Sequence, residues 1–185
     1  MRIVGGEFSG RNLVSPRTLR VRPTSDRVRE NLFNILANRI DFYETKILDL
    51  FAGVGTVGLE ALSRGAEEVV FVDDSHQSIE YLKRNTQFCR DRVTILPAKV
   101  DVALNTLAKR NYQFDVIFLD PPYEHDFISK TLQKIDTLPL LKEEALVIVQ
   151  HSKREPVAEE WQNLHIVDFR PYGDTIITFL NRKTL

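Results

Sequence analysis

Residues 165–180, HIVDFRPYGDTIITFL, distinguish between two kinds of α/β sheet. Two apolar runs, 165–169 and 175–180, flank a five-residue connection at 170–174. A connection this short cannot hold the crossover that parallel strands need, so the two runs are predicted to pair antiparallel. The chain is therefore expected to end in an antiparallel hairpin.

Upstream of this hairpin, apolar runs alternate with amphipathic segments. Strands are predicted at 46–51, 68–73, 92–96, 114–120 and 145–150, and helices near 57–64, 77–88, 102–110 and 126–134. A further helix is predicted to begin at Thr24 or Ser25, after short strands and turns. Alternation of this kind is typical of a parallel sheet covered on both faces by helices.

Five parallel strands followed by an antiparallel hairpin resemble the sheet of class I S-adenosylmethionine-dependent methyltransferases, in which a seventh strand inserts beside the fifth. A dinucleotide-binding fold would have a parallel sixth strand. The expected fold is thus α/β and Rossmann-like, a mostly parallel seven-stranded sheet with a short N-terminal β-hairpin extension. The expected division is an arginine-rich extension at 1–23 and a methyltransferase domain at 24–185.

Composition limits the class of protein. The 185 residues are 43% hydrophobic and 28% charged, as in an ordinary globular domain. The N-terminus lacks the apolar segment of a secretory signal, and Cys89 is the single cysteine, so we expect a cytoplasmic protein without disulfides or membrane spans. The four histidines show no metal-ligand spacing, and no metal is expected.

The first predicted strand leads into the glycine loop Asp49-Leu-Phe-Ala-Gly53-Val-Gly55-Thr-Val-Gly58. Its glycine spacing also fits dinucleotide sites and is weak evidence alone. An acid in this loop disfavours a pyrophosphate but favours the sulfonium and ammonium of S-adenosylmethionine. Asp73, at the end of the second strand, is expected to accept hydrogen bonds from ribose hydroxyls, with Asp74 as a competing ligand.

The predicted cofactor-binding set follows the ends of the first three strands. It comprises Asp49, Phe51, Ala52, Gly53, Gly55, Gly58, Asp73, Asp74, Lys99 and Val100. The residue expected to contact the adenine amino group is either Lys99 or Asp101. Lysine cannot accept a hydrogen bond from that group, so the assignment stays open.

Asp120, Pro121, Pro122 and Tyr123 end the fourth predicted strand and are the predicted catalytic residues. Strand ends in such a sheet share one crevice, so this motif is expected to face the glycine loop. The Asp120 carboxylate and the Pro121 carbonyl can accept hydrogen bonds from both N–H groups of an exocyclic amino group. This arrangement directs the nitrogen lone pair towards a methyl donor. Tyr123 offers a ring face for an extruded base. These residues predict methylation of a base amino group.

Residues 1–40 hold eight arginines against three acidic residues, although the whole chain has a net charge of −1. Arginine suits bidentate contacts with phosphates, so this block is predicted to dock a polyanion. The predicted RNA-binding residues are Arg2, Arg11, Arg17, Arg20, Arg22, Thr24 and Arg27. Of these, Arg22, Thr24 and Arg27 surround a helix N-terminus, which favours anions. The anion is either the carboxylate of the cofactor or an RNA phosphate. For Thr24, a role as the helix cap alone explains the residue equally well.

Together these motifs resemble the ribosomal RNA small-subunit methyltransferase D (RsmD) family over nearly the whole chain. The resemblance rests on the arginine-rich block 22–30, the glycine loop with the following 58–66, and Asp120-Pro121-Pro122-Tyr123. It implies methyl transfer to N2 of one guanosine in 16S rRNA, within the small ribosomal subunit or its assembly intermediate. Small-subunit proteins are further expected contacts.

Three other functions share some of these motifs. A DNA adenine-N6 methyltransferase shares the Asp120 motif but usually carries an added recognition domain, for which 185 residues leave no room. A nicotinamide-dependent oxidoreductase explains the glycine loop but not the Asp120 motif or the terminal hairpin. A non-catalytic RNA-binding protein would not need Asp120 or the glycine loop intact.

Overall fold

A computed structural model describes residues 1–16, 24–122 and 126–183, which form one mixed sheet with helices on both faces. The helices are α1 (Thr24–Leu36), α2 (Thr56–Ser63), α3 (His76–Asn85), α4 (Val100–Lys109) and α5 (Phe127–Thr137), with a 3₁₀ helix at Gln87–Arg92. The strands are β1 (Lys46–Leu50), β2 (Glu68–Asp73), β3 (Val93–Pro97), β4 (Phe114–Leu119), β5 (Leu141–Ser152), β6 (Leu164–Tyr172) and β7 (Thr175–Arg182).

The sheet order is β3-β2-β1-β4-β5-β7-β6. The first five strands pair in parallel, whereas β7 lies antiparallel between β5 and β6. The expected sheet, hairpin and insertion beside the fifth strand are confirmed. Strand order reverses between β1 and β4, and a crevice at such a switch point is where ligands bind in open α/β sheets.

The central strands are apolar throughout because helices cover both of their faces. One core contains α1, α2 and α3, with Phe33 and Phe71 fully buried, and the other contains α4 and α5, with Phe114 fully buried. Burying each such ring contributes about 1.5–3 kcal/mol. This packing holds the carboxyl ends of β1, β2, β4 and β5 at one edge, which we call the site edge.

Two strands extend further than the periodicity predicts. β5 begins at Leu141 although Lys142, Glu143 and Glu144 interrupt the apolar pattern, and its pairing with β4 shifts register near Phe114. β6 continues through Pro171, which a ladder tolerates because β6 is an edge strand. These parts of β5 and β6 were therefore not predicted, because charged residues and a proline interrupt the hydrophobic pattern.

The N-terminal segment, residues 1–16, is folded onto the sheet's first core. The expected β-hairpin is reduced to a single antiparallel bridge between Arg2 and Asn12, closed by a turn through positive-φ Gly6 and Gly10. Ile3 and Leu13 are buried in the core. The expected domain boundary falls next to residues 17–23, which lie outside the described part, and it stays a prediction.

Buried polar side chains fasten the N-terminal segment. Glu60 of α2 accepts hydrogen bonds from the amides of Val4 and Gly5, each at 2.8 Å. Asn85 of α3 accepts from the Val14 amide at 2.8 Å and donates to the Val14 carbonyl at 2.9 Å. We call Glu60, Asn85 and the segment they hold the N-terminal anchor.

Within the described residues no helix is long and apolar enough to span a bilayer. The same part of the chain holds no group of three histidine, cysteine or acidic side chains arranged for a metal ion. Cys89 is buried, and burial raises the pKa of its thiol to about 11.

Candidate active site

The glycine loop follows β1 at the site edge and depends on left-handed backbone conformations. Gly53 and Gly55 have φ of +58° and +87°. A Cβ on Gly55 would lie 2.7 Å from the Leu82 side chain, and one on Gly58 would lie 2.3 Å from the ring of Phe71. A Cβ on Gly53 would meet nothing within 4 Å. Gly55 and Gly58 are therefore required for packing, whereas the backbone at Gly53 faces open space that a ligand can approach.

Asp49 lies beneath this loop and is 2% exposed. Its carboxylate accepts a hydrogen bond of 3.0 Å from the amide of Gly58, in the first turn of α2. Burial raises the pKa of Asp49 well above its ordinary value; the Gly58 amide opposes this, and the carboxylates of Asp120 and Asp73 add to it. Three carboxylates that interact electrostatically make the site favourable for a cation.

Asp73 ends β2 and organises the backbone around it. One carboxylate oxygen accepts from the Gly53 amide at 2.8 Å, and the other accepts from the Ser75 amide at 2.9 Å. Ser75 caps α3 through its hydroxyl, while Asp74 is exposed beside it. Ala52 donates to the Val72 carbonyl at 3.0 Å, which ties the glycine loop to the end of β2.

Asp120 follows β4 and is half-buried at the site edge, with Pro121 buried and Pro122 exposed after it. Gln150 of β5 donates a hydrogen bond of 3.1 Å from its side-chain nitrogen to Asp120. The predicted Tyr123, and His125 beyond it, lie outside the described residues. Sequence reasoning missed Gln150, although a polar residue that ends the apolar run of the neighbouring strand was a usable signal.

A crevice of about 1290 Å³ joins these strand ends. Of the predicted residues it is lined by Phe51, Asp73, Asp74, Lys99, Val100, Asp120, Pro121 and Pro122. Asp101 lines it together with Lys99, so position alone leaves the adenine contact open. The ring of Phe127, which sequence reasoning missed, lies 5.6 Å from that of Phe51, centroid to centroid.

Three of the predicted RNA-binding arginines lie in the described part of the chain. Arg11 stacks on Phe88 with its guanidinium carbon 3.9 Å from the ring centroid, and Arg27 is exposed on α1. Arg2 is exposed and its carbonyl accepts from Arg29 at 2.6 Å. Residues Arg17, Arg20 and Arg22, with the side chain of Thr24, lie outside the described part.

The strand order, the antiparallel β7 and the glycine loop at the switch point define a class I S-adenosylmethionine-dependent methyltransferase fold. The same fold is present in the protein SMU.776, solved in complex with S-adenosylhomocysteine, which is 15% identical with a TM-score of 0.65 and covers 84% of this chain and 48% of that one. At that identity the likeness concerns the fold alone.

The particular family follows from the sequence comparison. The model of the family described as conserved hypothetical protein 95 matches residues 1–181. The chain is 33% identical to YlbH of Bacillus subtilis, over 99% of this chain and 100% of that protein. It is 34% identical to the ribosomal RNA small subunit methyltransferase D of Escherichia coli, over 81% of this chain and 74% of that one.

A solved structure of yhhF from Escherichia coli agrees with these relatives: it is 27% identical, has a TM-score of 0.85, and covers 100% of this chain and 99% of that one. The chain belongs to the conserved hypothetical protein 95 family, and the resemblance to the RsmD proteins is confirmed.

Proposed function

We propose that this protein methylates ribosomal RNA, with S-adenosylmethionine as donor and N2 of a guanosine in 16S rRNA as acceptor. We infer the reaction type from one observation: Asp120, Pro121 and Pro122 line the same crevice as Asp73 and Phe51. The names of the relatives support ribosomal RNA as the substrate.

The residues of the crevice fit this donor. Asp73 lines the crevice, and its carboxylate would accept hydrogen bonds from ribose hydroxyls. The backbone of Gly53, whose amide donates to Asp73, has open space in front of it that the donor would enter. The cation of the donor would be attracted by Asp49, Asp73 and Asp120, whose mutual repulsion its charge would relieve. S-adenosylmethionine supplies an electrophilic methyl group on a sulfonium.

The protein's part in the reaction is to orient the amino group. The Asp120 carboxylate and the Pro121 carbonyl would accept hydrogen bonds from its two N–H groups. The nitrogen lone pair would then point at the methyl donor. Methyl transfer would form the N–CH₃ bond as the S–CH₃ bond breaks, and one proton would leave the nitrogen. The half-buried Asp120 carboxylate would accept that proton, and Gln150 would orient the carboxylate through the hydrogen bond that it donates.

The proposed substrate is the small ribosomal subunit or its assembly intermediate, which sets the enzyme in the cytoplasm. The predicted RNA-binding arginines, Arg2, Arg11, Arg17, Arg20, Arg22 and Arg27, would contact phosphates, and each neutralised phosphate releases counterions, which favours binding. Small-subunit proteins that surround the target nucleotide would add further contacts.

Methyl-labelled S-adenosylmethionine distinguishes the possible acceptors. The protein is incubated with purified small subunits, naked 16S rRNA or duplex DNA, and the labelled nucleosides are separated after digestion. We expect label as N2-methylguanosine in the RNA of one or both ribosomal substrates. Label in DNA alone, or on a different nucleoside, would contradict the proposal.

Asp120→Ala tests the role of the carboxylate. We expect turnover to fall about 10²–10³-fold, the cost of removing one preorganised transition-state contact, while S-adenosylhomocysteine affinity is nearly unchanged. The control is Asp91→Ala, which removes an exposed carboxylate and should leave both quantities as they are. Parallel loss of turnover and cofactor affinity in Asp120→Ala would mean that Asp120 is structural.

A further inference from the structure

The crevice extends well beyond the residues assigned to the cofactor. Past Val100 it continues between α4 and α5, where Leu104, Phe127, Lys130, Thr131, Lys134 and Thr137 line it. We call this part the α4–α5 groove. The whole crevice, at about 1290 Å³, exceeds the 300–1,000 Å³ typical of a small-molecule site. The crevice therefore has room for more than the cofactor.

The two ends of the crevice carry opposite charge. Asp73, Asp74 and Asp120 line the end beside the glycine loop, whereas Lys99, Lys130 and Lys134 line the part towards the groove. Among the described residues Asp101 is the one acidic side chain lining that second part. A cation is favoured at the first end, and an anion is favoured along the groove.

The lysines are available to bind a ligand. Lys99 and Lys130 are exposed, and no carboxylate of the described residues lies within ion-pair distance of either ammonium. Lys134 is half-buried, with its ammonium 3.4 Å from the side-chain oxygen of Asn105, a neutral and weak partner. These ammonium groups therefore keep donors for an anionic ligand.

The shape of the groove fits an extended polymer. Lys130 and Lys134 are one helical turn apart, about 6 Å along the axis, and α5 carries the groove about 15 Å from Phe127 to Thr137. Leu104 and the partly exposed Phe127 provide apolar surface between the charges. A cationic groove with an exposed aromatic ring beside it is a kind of surface that single-stranded nucleic acid binds.

We propose that the α4–α5 groove holds the RNA strand next to the target nucleotide, with Lys130 and Lys134 on successive phosphates. This inference rests on the proposed function, because it takes the acceptor to be RNA. The strand would leave Asp120 along α5, on the opposite face of the sheet from α1 and the N-terminal segment. The enzyme would thus contact RNA from both faces of the sheet.

The double variant Lys130→Gln/Lys134→Gln tests the groove by binding rather than turnover. Affinity for naked 16S rRNA and for small subunits is measured across a salt series, and S-adenosylhomocysteine affinity is measured separately. We expect the slope of log affinity against log salt to flatten by about 1.4, the value for two single-strand phosphate contacts, with cofactor affinity unchanged. Lys130→Arg/Lys134→Arg keeps both charges and should retain the slope.

The matched control is Lys46→Gln/Lys142→Gln, which removes two charges at the opposite edge of the sheet. Its salt slope should equal that of the unmodified protein. An unchanged slope in the groove variant would overturn the proposal, and so would a loss of cofactor affinity, which would make the groove part of the cofactor pocket. If the unmodified protein binds RNA through the groove yet methylates only DNA, the proposed function is wrong, whereas the proposal that the groove binds RNA is still supported.

Discussion

The N-terminal anchor and the acidic cluster at the site edge use buried polar groups in opposite ways. In the anchor, Glu60 and Asn85 are each met by complementary donors and acceptors. At the site edge, the Asp49 carboxylate is buried with one amide partner and is repelled by Asp73 and Asp120. The anchor therefore stabilises the fold, and the acidic cluster costs stability in the absence of a cation.

This difference separates residues kept for folding from residues kept for chemistry. A buried polar group with every partner in place rigidifies the chain, whereas like charges held together persist where a ligand compensates them. Asn85 connects the two regions, because its amide also donates to the carbonyl of Val54 in the glycine loop at 3.0 Å. Substitutions in the anchor should lower the free energy of unfolding, and those in the cluster should alter ligand binding first.

The largest effect on stability is expected for Asn85→Asp. The amide donates to the carbonyls of Val14 and Val54, and a carboxylate would set oxygen against oxygen in a site that is 4% exposed. We expect the free energy of unfolding to fall by roughly 3–5 kcal/mol, measured by urea denaturation.

The control for this substitution is Asn38→Asp, at an exposed position after α1. Its free energy of unfolding should change by about 0.5 kcal/mol or less. Equal effects at the two positions would remove the distinction between the anchor and the surface.

A smaller loss is expected for Glu60→Gln. The substitution keeps one acceptor oxygen but places an amide nitrogen among the donors Val4, Gly5 and Arg64. We expect a loss of about 2 kcal/mol and faster hydrogen exchange at the Val4 and Gly5 amides. Glu67→Gln, at an exposed site, is the matched control. Unchanged exchange in Glu60→Gln would show that apolar packing alone holds the N-terminal segment.

The smallest effect, and of opposite sign, is expected for Asp49→Asn. Because burial raises the pKa of Asp49, the folded protein holds a proton that the unfolded chain has lost, so stability falls as pH rises from about 4 through that raised pKa. Asparagine still accepts from the Gly58 amide and does not titrate. The variant should therefore gain stability relative to the parent as pH rises, and bind S-adenosylmethionine more weakly.

Thermal unfolding of Asp49→Asn and the parent across pH 4–8 measures this difference. A constant gap between the two curves would show that Asp49 does not titrate on unfolding. Weaker donor binding without any gain in stability would place the role of Asp49 in shaping the glycine loop rather than in its charge.

The sheet was predictable because each central strand is covered on both faces and so is continuously apolar, and because the short 170–174 connection permits only an antiparallel pair. The glycine loop and Asp120 were predictable because they follow such strands directly. β5 was predicted too short, since Lys142, Glu143 and Glu144 precede its apolar run.

The tertiary partners of Gln150, Phe127 and Asn85 could not be assigned from local patterns. Gln150 meets Asp120 because β4 and β5 are neighbours in the sheet, although the two residues are far apart in sequence. Asn85 ends an amphipathic helix and resembles any polar helix terminus until the N-terminal segment packs against it. Periodicity reports which face of an element is buried, and it carries no information on partners from distant elements.

The sequence by itself determined the α/β class, the antiparallel end of the sheet and the family, because hydrophobic periodicity and contiguous motifs are local properties of the chain. Only the tertiary structure decided that residues 1–16 are fastened by Glu60 and Asn85, that Asp49 is buried beneath the glycine loop, and that the crevice continues between α4 and α5. These features depend on which elements become neighbours, and that is settled when the two cores pack on the sheet.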